Sequence, residues 1–283
     1  LVTGACGTVG SAVVAALERE KRPCVATDVD ARWQPDPSGR MTVRRADLRD
    51  LGSVMELVHG VDAIVHTANI PVSGFEPDHR TFVDNVTINW NVFHAAAMSG
   101  VRRVVWLSSV VVFGVPFAHG SPDYLPIDDT HPRRPENAYA LSKSVSEDIA
   151  EYFARSSDTS YVALRATLVQ DEWHYQSLAG VHDEQRLWAL WTHIALPDMA
   201  RACLAAIDAP VTGTLAVTIA DRRTLSDTPS HELADRFHHG VERRWPADAD
   251  PRAAFHDVEP ALELLGFVAE TKPAALTRSA VLP

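Results

Sequence analysis

Tyr139-Ala-Leu-Ser-Lys143 places a phenol and an amine four residues apart, which brings them onto one face if the segment is helical. A phenol titrates near 10 and is a poor base at neutral pH. An adjacent ammonium favours the phenolate and would bring that value down. A tyrosine tuned in this way can exchange a proton with a substrate hydroxyl or carbonyl while hydride moves elsewhere. Five Tyr and three Lys in 283 residues give about 0.05 pairs of this spacing by chance. Lysine is scarce: Lys21, Lys143 and Lys272 stand against 23 arginines. The plain alternative is a surface Tyr and Lys on an amphipathic helix. Ser109, 30 residues before Tyr139, closes an apolar run and adds a hydroxyl that can hold the reacting oxygen. Small residues also end strands with no such role.

A second constellation opens the chain. Gly4-Ala-Cys-Gly7-Thr8-Val9-Gly10 follows a short apolar stretch and precedes a helical pattern. A tight turn, close approach of the backbone to a pyrophosphate and packing of the helix on the strand each favour glycine. The helix start then offers free N–H groups to the anion. The spacing is GxxGxxG, and a purely structural turn is the alternative. Asp28, 18 residues beyond Gly10, ends the next strand, where a carboxylate can accept both hydroxyls of an adenosine ribose. It would repel a 2′-phosphate, so the sequence favours NAD over NADP; Arg32 keeps NADP open. Asp47-Leu48 follows a third strand and offers a carboxylate for the adenine amino group and an apolar side chain for its face. Taken alone, it reads as a solvated loop acid.

These groups need a scaffold to hold them. Leu1–Thr3, Pro23–Val29, Thr42–Ala46, Asp62–His66, Arg103–Ser108 with its valine-rich continuation, and Tyr161–Ala166 read as strands. Between them, Ser11–Glu20, Leu51–His59, Phe82–Ser99 and Ala138–Arg155 carry helical spacing, and Trp33–Arg40 reads as a loop. Strands separated by helices of this length imply a parallel sheet with right-handed crossovers. After about residue 166 the rhythm breaks. Gln170–Gln185 is irregular, Asp198–Ile207 reads as a helix, Thr214–Ala220 as a strand returning to the sheet, Thr228-Pro229 as a helix start, and Val258–Leu265 as a helix ended by Gly266. The expected architecture is α/β, a Rossmann-type doubly wound parallel sheet with a small discontinuous C-terminal substrate lobe. Residues 1–166, with 193–220 returning, form the NAD-binding part; 167–192 and 221–283 form the lobe. The chain begins at Leu1, and the first strand reads as shortened.

Composition narrows the function classes. The net charge of −11 leaves little for a nucleic acid to bind. No apolar run approaches the ~18 residues of a membrane helix, so neither nucleic acid nor membrane is an expected partner. Three cysteines, Cys6, Cys24 and Cys203, make no disulfide framework and fit a reduced, cytoplasmic setting. The 13 histidines, His238-His239 among them, show no metal spacing and read as surface or helix-end residues, so no metal is expected. Trp188 and Trp191 either line a substrate pocket or pack the lobe.

Together these residues resemble the extended short-chain dehydrogenase/reductase family, in its NAD-dependent epimerase/dehydratase branch. The resemblance spans nearly the whole chain. It includes the glycine motif, Asp28, Asp47-Leu48, Asp62-Ala-Ile-Val-His66-Thr-Ala68, Asn85-Val86, Ser108-Ser109 with Phe113-Gly114, Tyr139/Lys143, His193 to Asp198-Met-Ala, and Leu264-Leu-Gly266-Phe. It implies Ser109, Tyr139 and Lys143 as a catalytic trio, with Lys143 also bonding the nicotinamide ribose. It places Thr67, Ala68 and Asn69 along the cofactor, Asn85 near it, and Ala166-Thr167 beside the nicotinamide. It also implies a homodimer through the helices Phe82–Ser99 and Ala138–Arg155.

The departures bear on the reaction. Sugar-nucleotide dehydratases of this branch carry an Asp-Glu pair after the Ser/Thr; Val110-Val111 stand there and cannot protonate a leaving hydroxyl. Leu168 stands where nucleotide-sugar epimerases hold an Asn, and the stretch to Thr192 is short, with Arg186 the one candidate diphosphate cation in it. The compact lobe looks more like that of uronate dehydrogenases. The expectation is an NAD-dependent oxidoreductase acting at a secondary alcohol or ketone of a sugar, sugar acid or small polyol. The alternative is an NAD-retaining epimerase, and a third class is a dinucleotide sensor without turnover, against which the intact Tyr139/Lys143 pair argues.

Overall fold

The computed structural model describes residues 1–30, 41–177 and 181–272; Arg32 and the Trp33–Arg40 loop lie outside them. Seven parallel strands form the central sheet: β1 (Val2–Thr3), β2 (Cys24–Asp28), β3 (Met41–Arg45), β4 (Ala63–His66), β5 (Arg103–Ser109), and, after the short β6 (Tyr124–Leu125) outside the sheet, β7 (Ser160–Ala166). The short β8 (Leu168–Gln170) and β9 (His193–Ala195) pair with each other. β10 (Thr214–Ile219) closes the main sheet, and β11 (Glu242–Arg243) pairs with β6. The order β10-β7-β5-β4-β1-β2-β3 reverses direction between β1 and β4. That reversal opens a crevice at the carboxyl ends of the strands, the usual ligand position in an open α/β sheet. The fold is a Rossmann-type doubly wound sheet.

Two helical layers cover it. In chain order the helices are α1 (Thr8–Arg19), α2 (Leu51–Val58), α3 (Asp78–Ser99), α4 (Ala138–Ser156), α5 (Glu172–Ser177), α6 (Asp183–Arg186), α7 (Leu196–Asp208), α8 (Ser230–Phe237) and α9 (Glu259–Leu265). Val105 of β5 packs with α1, α7 and α9 through Val13, Leu17, Met199, Cys203 and Leu265. Val104 and Trp106 turn to the opposite layer, against Val54, Val92, Phe93 and Phe153 of α2, α3 and α4. This alternation along a strand buried on both sides is what a central parallel strand requires. A separate apolar core follows β5. Val112, Phe113, Leu125 and Ile127 meet Trp191, Leu233 and Phe255 there.

The structure differs from the sequence reading at several ends. α3 starts a turn before Phe82, because Pro77 accepts the Thr81 N–H at 2.9 Å and seeds the first turn. The valine run after Ser109 is a 3-10 turn, Val110–Phe113, ended by Gly114 at φ 107°. Thr228 does not cap α8; its hydroxyl donates to Asp183 Oδ2 at 2.7 Å and ties the turn to α6. The stretch read as irregular contains β8, α5 and α6. The histidines divide. His239 is exposed, but His66, His131, His193, His238 and His256 are buried. His131 shows the reason: its flat ring packs edge-on against Phe113, Phe117 and Tyr124 while its nitrogens meet backbone groups. Trp191 is fully buried in the lobe core, whereas Trp188 is about half exposed.

Candidate active site

The turn after β1 runs along the crevice. Gly4 adopts φ 65°, and a Cβ there would lie 2.7 Å from the Ala68 nitrogen. Gly7, in extended conformation, precedes α1 without a side-chain cap, so the first turn presents its N–H groups outward. Asp28 is oriented by two backbone donors: Cys6 N–H to Oδ2 at 2.9 Å and Asp30 N–H to Oδ1 at 3.1 Å. Each oxygen keeps a lone pair for a further donor.

A cleft of about 550 Å³ follows this edge. Gly4, Gly7, Thr8, Val9, Gly10, Asp28, Asp47, Leu48, Thr67, Ala68 and Asn69 all line it. A cradle of glycines under a helix N-terminus, with a carboxylate at the end of β2, fits the pyrophosphate and adenosine ribose of NAD. Asn85 is one layer behind. It is fully buried, accepts from Ile70 N–H at 2.7 Å, and donates to the Ile70 carbonyl and Ser142, so it holds the loop after Asn69. Arg49, Glu76, Arg80 and Asp84 also line the cleft. Asp47 is clasped by Arg49, with the Nη2–Oδ2 contact at 2.6 Å, which holds its carboxyl below the usual range. The i,i+4 spacing of Glu76, Arg80 and Asp84 is the one sign of this charged rim in the sequence.

β5 and α4 meet behind the inner end of the cleft, which Leu107 lines; Ser109, Tyr139, Lys143 and Ala166 are not among its lining residues. Asn137 caps α4, accepting the Ala140 N–H at 2.8 Å, and so sets Tyr139 in the first turn. Lys143, one turn on, is 3% exposed. Its Nζ donates to Asn69 Oδ1 at 2.9 Å and to the Leu107 carbonyl at 2.6 Å, both from cleft-lining residues. It lies 5.5 Å from the centre of the Tyr139 ring. Ser109 pairs with Ala166 across β5 and β7, and its hydroxyl faces the Ala166 carbonyl at 3.4 Å.

The electrostatics differ from the simple expectation. Burial pushes the Tyr139 phenol up to about 12, with the neighbouring Ser109 hydroxyl pulling the other way. Burial also brings the Lys143 ammonium down to about 7. In the protein alone, desolvation outweighs attraction between the two groups. Beyond Lys143 on α4, Glu147 accepts from Ser108 at 2.7 Å and from Arg165 Nη2 at 2.8 Å; Arg165 also reaches Asp129, which holds Thr218. This buried network pins α4 to β5, β7 and β10, and its members are too far apart in sequence to be read as a motif.

A profile of the "NAD dependent epimerase/dehydratase family" matches residues 1–176, more than half of the chain. The chain belongs to that family. Members are NAD-dependent enzymes, and NAD is the cofactor this cleft takes. The chain is 27% identical over 266 residues to a uronate dehydrogenase of Pseudomonas syringae pv. tomato, covering 90% of each. Two solved structures share the fold. One is MoeE5 in complex with UDP-glucuronic acid and NAD, at TM-score 0.73, 23% identity and 99% coverage of both chains. The other is UDP-glucose 4-epimerase from Brucella ovis in complex with NAD, at TM-score 0.73 and 21% identity, covering 98% of this chain and 95% of that one. Among the described residues no group of three His, Cys, Asp or Glu is placed to hold a metal, and no helix is long and apolar enough to cross a membrane.

Proposed function

We propose that this enzyme oxidises a secondary alcohol of a sugar, sugar acid or similar small polyol, or reduces the matching ketone, with NAD. The observation that carries this is the placement of Lys143: buried behind the inner end of the NAD cleft, bound to Asn69 and Leu107, with the Tyr139 ring beside it. NAD, when bound, supplies the hydride acceptor. Tyr139 takes the proton of the substrate hydroxyl, Ser109 orients the same oxygen, and Lys143 holds the nicotinamide ribose and stabilises the phenolate. Gly4, Gly7, Thr8, Val9 and Gly10 would hold the pyrophosphate, and Asp28 the ribose. Asp47 and Leu48 flank the adenine, and Thr67, Ala68 and Asn69 run along the cofactor toward Ala166. Asn85 supports the loop after Asn69. The NAD-binding domain is built on 1–166 with 193–220 and also takes α9, which packs on the sheet rather than in the lobe expected over 221–283; the substrate lobe draws its core from Val112, Phe113, Leu125 and Ile127 together with Trp191, Leu233 and Phe255. The similarity to a uronate dehydrogenase over 90% of both chains supports a sugar acid as substrate, and Val110-Val111 and Leu168 argue against a sugar-nucleotide dehydratase or epimerase.

The test is NADH formation from a panel of uronic acids, aldoses, polyols and UDP-sugars, together with the cofactor content of the protein as purified. Turnover of a free sugar or sugar acid by a protein that binds NAD reversibly supports the dehydrogenase. Stoichiometric retained NAD with interconversion of UDP-sugars, and no net NADH, would establish the epimerase instead.

Two copies are proposed to pair through α3 and α4. Trp90, Met98 and Tyr152 are exposed there, and the Trp90 and Tyr152 rings stack at 6.0 Å. Light scattering would show a dimer, and Trp90→Glu should yield a monomer. Among the described residues no disulfide joins Cys6, Cys24 and Cys203, which supports a reducing compartment such as the cytoplasm.

A further inference from the structure

A run of buried polar groups lies beneath the inner end of the cleft, and its hydrogen bonds admit one polarity. Ser146 Oγ donates to the Ser142 carbonyl at 2.7 Å, so toward Asn89 it accepts, from Nδ2 at 2.7 Å. That fixes the Asn89 amide and turns its Oδ1 to His66 Nε2 at 2.8 Å and to Asn69 Nδ2 at 2.9 Å. His66 Nδ1 faces the Thr3 hydroxyl at 2.6 Å, which a neutral ring protonated at Nε2 satisfies on both sides. With Asn69 Nδ2 committed to Asn89 and to the Ala68 carbonyl, Asn69 Oδ1 faces the Lys143 ammonium at 2.9 Å, with Asn89 Nδ2 as a second, longer donor at 3.4 Å.

We propose that Asn89 is a positioning residue for Lys143. It acts through Asn69, and Ser146 and His66 set the sense of its amide. The inference rests on the reading that Lys143 serves the hydride-transfer site. Asn89 is fully buried in the middle of α3. Asn is a modest helix former, and a buried amide without partners is costly, so an apolar side chain would serve the helix better. What the amide adds is direction. Asn69 and Leu107 fix two of the three ammonium hydrogens, so the direction of the third is set as well. The titratable groups around Lys143 are His66 on β4, Tyr139 one turn earlier on α4, and Glu147 one turn later, whose carboxylate Ser108 and Arg165 occupy. Burial, with Lys143 acting in the same direction and the Asn89 bond opposing, brings His66 down to about 3, so it stays neutral across the working range.

The chain has three lysines, so carbon-13 labelling at lysine Cε gives three signals, and Lys143→Arg assigns one. The full-length protein is titrated with and without NAD, as wild type and as Asn89→Leu. Loss of the oriented acceptor disfavours the ammonium, so the Lys143 midpoint should fall by about half a unit or more. With a substrate in hand, kcat should fall about tenfold while KM changes less than about twofold. A lower melting temperature with an unchanged Lys143 titration would mean that Asn89 is merely structural, and the proposal fails. If Asn89→Leu does not fold, Ser146→Ala removes the nearer of the two acceptors of Asn89 Nδ2 and leaves the longer contact to Asn69 Oδ1. The same downward shift supports the proposal there, and an unshifted Lys143 overturns it. The lysine titration needs no substrate, so a wild type that turns nothing over would defeat the functional reading while leaving this result legible.

Discussion

A Cβ on Gly10 would sit 2.1 Å from the carbonyl oxygen of Gly4 and 2.9 Å from Thr67 Oγ1. The helix that carries the phosphate-binding N–H groups is thus pressed against the turn that feeds it, and the obstructing atoms are mostly backbone. Gly7 is different: a Cβ there would meet the Gly4 oxygen at 3.2 Å, and the residue is exposed. Gly10→Ala should therefore cost about 1–3 kcal/mol of stability through overpacking and weaken NAD binding with it. Gly7→Ala should be milder in stability and act chiefly on NAD affinity. Thermal unfolding and calorimetric NAD titration of both variants check this; equal loss of stability in the two would refute the packing argument.

Asp28 makes the second prediction. Its carboxylate is pre-aimed by the Cys6 and Asp30 N–H groups, so ordering it costs little when a ribose arrives. A hydrogen bond to a charged group contributes about 1.5–3 kcal/mol, so Asp28→Ala should weaken NAD about 10- to 100-fold. NADP, freed from repulsion, should lose nothing or gain. The check is the pair of dissociation constants in both proteins. Tighter binding of NADP than NAD by the wild type would show that Asp28 does not select the cofactor.

Tyr139→Phe keeps the ring beside Lys143 and removes only the hydroxyl. Proton transfer by a positioned group contributes about 10²–10⁴-fold, so turnover should fall by that order with NAD affinity within about threefold. The rise of the phenol to about 12 in the protein alone adds a spectroscopic expectation. The cationic nicotinamide of bound NAD favours phenolate, so phenolate absorbance should appear at lower pH with NAD than without, and the difference should vanish in the Phe variant. A phenylalanine variant with full activity on a true substrate would remove Tyr139 from the mechanism.

The sheet, the crevice and the residues along it were legible because each rests on local rules: glycine where side chains do not fit, a carboxylate at a strand end, and one helical turn between Tyr139 and Lys143. The resemblance places Asn85 near the cofactor; the structure adds that its amide holds Ile70, a direction no sequence pattern carries. The Asp129–Arg165–Glu147 network and the Thr3–His66–Asn89 run were illegible. Their members come from different strands and helices, and their partnership exists only once the sheet has formed. The buried histidines were misplaced for a related reason. A ring such as His256, beside Thr192, is polar in the sequence and packed in the fold.

Those histidines make stability depend on pH. Burial, the largest cause in each case, brings His66 and His256 down to about 3 and His193 to about 4. The unfolded chain protonates all three near 6.5. A depressed value in the folded state means that the unfolded state binds more protons between the two values. Stability from these groups is therefore complete above about 6.5 and is lost as pH falls toward 4. Each group contributes about 1.4 kcal/mol per pH unit within its window, so the three together approach about 4 kcal/mol per unit near pH 5. Urea unfolding at pH 7.5, 6.5, 5.5 and 5.0 should show a shallow first interval, about 1 kcal/mol, and a steepening fall below it. His131 and His238 are also lowered by burial, so His256→Gln removes one titrating group among several and should lessen the slope below pH 6, even if it lowers stability at pH 7.5. A slope unchanged by that substitution would mean that His256 takes up its proton as readily in the folded state as in the unfolded one, and would remove it from this account.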